Sequence, residues 1–100
     1  MITSAQIAIN PTTPVLIAQA SIGSLFTLVR LGAGNVLSGG TTAVLGNSAS
    51  VTQTTGFSIQ LFSPFGGQQP QFYDIILSNG DQLYALDGGT SRTINVLIVE

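Results

Sequence analysis

The stretch Phe72-Tyr73-Asp74-Ile75-Ile76-Leu77-Ser78-Asn79-Gly80-Asp81-Gln82-Leu83-Tyr84-Ala85-Leu86 decides the fold class. Two apolar runs flank an Asn-Gly pair that tolerates positive φ at both central turn positions, the strongest short-range hairpin signal. Setting Ser78 opposite Asp81 puts Tyr73, Ile75 and Leu77 on one face with Gln82, Tyr84 and Leu86. Asp74 and Ile76 then share the other face with Leu83, Ala85 and Asp87. The first face is expected to be the core, and Asp87-Gly88-Gly89 is expected to turn the chain into a last strand.

Outward from this unit the same grammar recurs. Runs of four to eight residues are bounded by Gly, Pro, Asn or Ser, and no stretch combines a 3.6-residue apolar stripe with a capping signal. The expected strands are Ser4 to Ile9, Val15 to Ala20, Leu25 to Leu31, Asn35 to Ser38, Ala43 to Leu45, a piece of Ser50 to Leu61, Phe72 to Ser78, Gln82 to Leu86 and Thr93 to Val99. The expected fold class is therefore all-β, a single small antiparallel β-sandwich, jelly-roll-like, with about eight short strands. Residues 1–14 are expected as an extended N-terminal arm with the first strand, because Asn10-Pro11-Thr12-Thr13-Pro14 favours extended backbone. Residues 15–100 are expected as the sandwich.

One hundred residues make one domain, and 44% hydrophobic content suffices for a modest core without staples. Only Arg30, Arg92, Asp74, Asp81, Asp87 and Glu100 are charged. A neutral polar surface of that kind suits a chain that lives packed in an assembly, since free monomers rely on net charge for solubility. Three strands sharpen the point: Phe26 and Leu28 oppose Leu25, Val29 and Leu31 in face, Leu97 and Val99 oppose Ile94, Val96 and Ile98, and Ile76 opposes Ile75 and Leu77. A sandwich strand shows one face to water, so a second apolar face asks for a second cover, here expected from another subunit. Scattered surface aliphatics are the plainer reading of the same residues. Val15 to Val29 is apolar but short of a spanning helix, is interrupted by polar and glycine residues, and reads as two buried strands around a turn at Ser21 to Ser24. Neither a membrane nor a signal-type segment is expected.

The chain has no His, Cys, Lys or Trp, which removes the usual nucleophile systems, imine chemistry, His or Cys metal sites and the phosphate-loop lysine. No catalytic residue, cofactor or metal site is expected. The carboxylate pair with workable geometry is Asp74 and Asp87, diagonal neighbours roughly 7–8 Å apart in the hairpin register above. Two aspartates near a turn explain that spacing without function. Two arginines at net charge -2 cannot supply the phosphate contacts nucleic acid demands. A sugar platform from Phe57, Phe62, Phe65, Phe72, Tyr73 and Tyr84 is the binding alternative, weakened by the lack of tryptophan. For protein partners the candidate contacts are Pro11 and Pro14 on the arm, and Phe62, Phe65, Gln68 and Gln69 on the long uncharged loop from Phe62 to Gln71. Phe62 and Phe65 serve equally as plugs of the core edge.

Several pieces resemble one known group. They are Leu28-Val29-Arg30-Leu31-Gly32 leading to Asn35-Val36-Leu37-Ser38-Gly39-Gly40, Val51-Thr52 with Gly56-Phe57-Ser58-Ile59, Gly80-Asp81-Gln82-Leu83-Tyr84-Ala85, Gly89-Thr90 and the closing Ile94 to Val99. From Leu25 to Val99 the chain resembles small β-sandwich virion structural proteins of tailed bacteriophages. It departs from that pattern at Leu61 to Gln71, which looks like an insertion, and in its low arginine content. The resemblance implies a capsid decoration, or cement, protein made in the host bacterial cytoplasm and carried on the virion surface. Its implied partners are the major capsid protein and its own copies, as a homotrimer. The alternatives are a tail or baseplate component and a small carbohydrate-binding module.

Overall fold

A computed structural model describes residues 1–33, 41–62 and 72–100. Eight strands follow one another along the chain: β1 (Ile2–Ile9), β2 (Val15–Gln19), β3 (Thr27–Ala33), β4 (Thr41–Gly46), β5 (Phe57–Phe62), β6 (Phe72–Leu77), β7 (Gln82–Asp87) and β8 (Arg92–Val99). They form two four-stranded antiparallel sheets, ordered β1-β8-β3-β6 and β2-β7-β4-β5, the double Greek-key order of a jelly roll. The expected fold class is thus the observed one. The strand expected at Asn35 to Ser38 lies outside the described residues.

Alternation builds the core, but on β7 it is the face opposite the expected one that turns inward. Val29 and Leu31 of β3 and Ile94 and Val96 of β8 face Ala43, Leu61, Leu83 and Ala85 of the second sheet, all buried. The hairpin, however, is not one. The Asn79-Gly80 turn forms as its chemistry dictates, with φ of 45° and 80° and the Asp81 amide donating to the Ser78 carbonyl at 3.0 Å. Its two strands belong to different sheets: β6 pairs with β3, and β7 lies between β2 and β4. The inward face of β7 is accordingly Leu83 and Ala85, while Tyr84 and Leu86 lie on the outer side. A tight turn reverses the chain equally well within a sheet or across the gap between two. The choice here is made by the longer ladders available to each strand elsewhere.

The turn at Ser21 to Ser24 also joins two sheets, and the two turns clasp each other. Asn79 donates its amide to the Ser24 carbonyl at 2.8 Å, Gly80 donates to Ser21 at 3.2 Å, and the Asn79 Oδ1 accepts from the Gly23 amide at 2.9 Å. Leu25 and Phe26, expected inside a strand, sit in this loop, and the strand starts at the fully buried Thr27.

At the opposite end of β1, Asn10 to Thr13 is a turn and not an extended run. Asn10 Oδ1 accepts from the amides of Thr12 and Thr13 at 3.1 and 2.7 Å, an Asx-type arrangement that wins over the extended bias of the flanking prolines. β1 itself pairs with β8 along its whole length, so the arm's first strand is built into the sandwich.

The second sheet supplies its own outer cover. Val51, in the connection between β4 and β5, packs on Val44 and Leu86 with Tyr84 alongside. The connection approaches so closely that a Cβ at Gly46 would overlap the Val51 methyls, and one at Gly56 would overlap Val44 Cγ1 and lie 2.9 Å from the Leu45 carbonyl oxygen. Gly56→Ala should therefore cost about 1–3 kcal/mol by lifting this cover, read as a lower urea midpoint at unchanged slope.

Candidate protein-docking face

The first sheet keeps its outer face open. The registers place Ile2, Val99, Leu28 and Ile76 side by side across all four strands, an apolar row running the full width of the sheet. Ile2 and Ile76 at its two ends are 69% and 53% exposed, and Leu28 and Val99 between them are half-buried. The next row reads Ser4, Leu97, Arg30 and Asp74, and the third Gln6, Asn95, Gly32 and Phe72. The clasped loop that precedes β3 exposes three further apolar side chains, Ile22, Leu25 and Phe26, with Leu25 at 95%. Contiguous exposed apolar residues mark interaction surfaces more often than isolated aliphatics do.

Polar chemistry on this face is fixed in place. Arg30 grips Asp74 with two hydrogen bonds, Nε to Oδ1 at 2.7 Å and Nη2 to Oδ2 at 2.9 Å, and its guanidinium carbon lies 4.3 Å over the Phe72 ring. The hydrogen bonds, reinforced by the opposite charge and only partly offset by desolvation, hold the Asp74 carboxyl below the usual carboxylate range and raise the guanidinium. The pair thus stays ionised at neutral pH and is lost only as pH falls through the depressed Asp74 value. Being exposed, it orients side chains more than it stabilises the fold. Between Arg30, Phe72, Gly32 and Leu97 lies a shallow depression of about 610 Å³. A side chain at Gly32 would meet nothing within 4 Å, so its floor is open.

The carboxylates are otherwise engaged. Asp81 Oδ2 accepts from the Ser78 amide at 3.0 Å, and a Glu100 carboxylate oxygen accepts from Ser21 Oγ at 3.3 Å. Asp87 is fully buried, with Oδ1 accepting from the amides of Gly89 and Thr90 at 2.8 and 3.0 Å and Oδ2 3.7 Å from Arg92 Nε. The expected Asp74 and Asp87 pairing falls with the hairpin: one lies on the outer face of the first sheet, the other inside the second. No group of three or more potential metal ligands occurs among the described residues. Among the described residues no helix is long and apolar enough to cross a membrane.

The sequence-predicted contacts are scattered. Pro11 and Pro14 are half-buried, and the Pro11 carbonyl accepts from Gln53 Nε2 at 3.1 Å, so the turn leans on its own β4-to-β5 connection. Phe62 ends β5, paired with Thr41, on the sheet opposite the apolar row. Phe65, Gln68 and Gln69 lie outside the described residues. Tyr73 and Tyr84 sit on different sheets, and Arg30 lies over one face of the Phe72 ring, so these aromatics do not form one platform. The row itself was half visible in sequence: Leu28, Ile76 and Val99 were singled out as second faces, whereas Ile2 was not, because its place depends on pairing with a strand at the far end of the chain.

No family model matches the chain, and no curated protein matches it in sequence. Among solved structures the fold is similar to a chain from Bacillus endospore appendages, which form a family of disulfide-linked pili. The similarity covers 97% of this chain and 83% of that one, at 14% identity and a TM-score of 0.51. At that distance the likeness concerns the fold. This chain has no cysteine and so no means of forming the disulfide links of those pili.

Proposed function

We propose that this protein is a non-enzymatic structural subunit that works by holding other protein surfaces, and that its setting is the outer shell of a tailed-phage capsid. The observation that carries the proposal is the apolar row Ile2, Val99, Leu28 and Ile76 across the outer face of the first sheet, exposed at both ends. The scarcity of charge and the structural employment of all four carboxylates support it, as does the use of a similar fold in a pilus. The capsid setting rests on the resemblance from Leu25 to Val99. Laid across a seam between major capsid subunits, the row would bury apolar area available only in the assembled shell, and mass action would then favour that shell. A sugar-binding role is disfavoured by the separation of Tyr73 and Tyr84 onto different sheets.

The test is co-sedimentation with shells built from the major capsid protein of the phage that carries it, alongside shell melting. Wild-type protein is expected to bind and to raise the melting temperature of the shell. Ile76→Asp, which sets a carboxylate in the row at an exposed position the fold does not need, is expected to weaken binding at least about tenfold. Failure of the wild type to bind shells, with binding to tail assemblies instead, would move the protein to the tail. Equal binding by Ile76→Asp would discard the face.

A further inference from the structure

Among the described residues the two four-stranded sheets leave four open edges, at β1 and β6 of one and β2 and β5 of the other. Open edges are templates for further pairing, and proteins blunt them with short strands, bulges, prolines or charges. Three of these edges are blunted. β2 has five residues, follows Pro14 and bulges at Ile17, β5 bulges at Leu61, and β6 carries the Arg30–Asp74 ion pair. β1 has none of these devices: its eight residues are uncharged, free of proline and in unbroken register with β8 from Ile2 to Ile9.

The ladder also tells which of its groups are free to pair. Met1 and Glu100 exchange both backbone hydrogen bonds, at 2.8 and 2.9 Å. Bonded and non-bonded pairs alternate in an antiparallel ladder, so Thr3, Ala5, Ile7 and Ile9 face β8 while Ile2, Ser4, Gln6 and Ala8 turn their N–H and C=O to the open side. Those four read apolar, polar, polar, apolar, a pattern that is its own complement when reversed.

We infer that β1 pairs antiparallel with β1 of a second copy about a two-fold axis at Ala5, joining two sandwiches through one continuous sheet. The register sets Ile2 opposite Ala8 and Ser4 opposite Gln6, matching apolar with apolar and polar with polar. It pairs the outward groups of all four residues, whereas a slip of two residues in either direction leaves Ile2 or Ala8 unpaired, and a slip of one sets core-side residues against outer ones. The occupant is a copy of this chain because the edge is self-complementary and carries no charge to repel itself. This pairing goes beyond the proposed role, uses an edge where that role uses a face, and gives two copies where the family resemblance implies three.

The experiment is the absolute mass of the purified full chain across a wide concentration series, with residue-resolved amide hydrogen exchange at the highest concentration. The expected result is approach to twice 10.3 kDa, with the amides of Ile2, Ser4, Gln6 and Ala8 protected in the associated form. Ser4→Lys, which sets charges across the axis, is expected to weaken association at least about tenfold, with a melting temperature unchanged at concentrations where the wild type is a monomer. Ser4→Pro, which removes an outward N–H and no bond to β8, is expected to do the same. A single-chain mass throughout, a threefold mass, rapid exchange at those four amides in a dimer, or a folded Ser4→Lys that dimerises like the wild type would each overturn the pairing. Loss of shell binding with the dimer intact would instead count against the proposed role alone.

Discussion

Leu31→Ala is expected to lower stability by about 2–5 kcal/mol, the range for truncating a fully buried leucine. Leu31 has no exposed surface and sits in β3, held between β8 and β6. Neighbours on both sides are tied to it by backbone ladders, so the site cannot collapse to fill the void, and the upper part of the range applies. For a domain of this length each kcal/mol moves the melting temperature by roughly 4–8 °C. Urea denaturation should show a lower midpoint with the slope retained. A loss below about 1 kcal/mol would mean that the two sheets can close over the gap.

The second large effect is expected at Asp87. Asp87→Ala removes both hydrogen bonds to the amides of Gly89 and Thr90 and the nearby charge facing Arg92, for an expected loss of about 2–4 kcal/mol. The residue's backbone adds to its centrality, since its amide donates to the Asn10 carbonyl at 2.9 Å and its carbonyl accepts from Gln53 Nε2 at 2.7 Å. Oδ2 itself accepts no hydrogen bond among the described residues. Asp87→Asn keeps the Oδ1 acceptor and discards the charge, so the gap between the two variants measures turn and ion pair separately. Equal stability of Asn and Asp forms would assign the whole effect to the turn.

These two residues also show how far the sequence could be read. Leu31 was legible: alternation in β3 named its face, and the core lies there. Asp87 was legible only as a turn residue before Gly88 and Gly89. Its burial follows from the pairing of Ala43 with Asp87, a contact between strands far apart in the chain that no local pattern encodes. The same cause separates Ser78 to Asp81 into a correct turn and an incorrect hairpin. Turn chemistry acts over four residues, while sheet membership is decided by the best available ladder, and for β6 that ladder is β3. Second apolar faces were read on β3, β6 and β8, and all three strands lie in the first sheet. On the second, Val51 folds back over Val44 and Leu86, which spacing alone could not announce.

The strand order has a consequence in time. Among the described strands only β4 and β5 are neighbours both along the chain and within a sheet, and β8 lies between β1 and β3. During synthesis β1 therefore waits for its sole partner until the last strand has been made. Folding so dominated by distant contacts belongs in the slow, millisecond-to-second range for small domains. Over that interval the uncharged β1 is a bare strand beside other nascent chains, so yield in the cell should depend on how quickly β8 arrives.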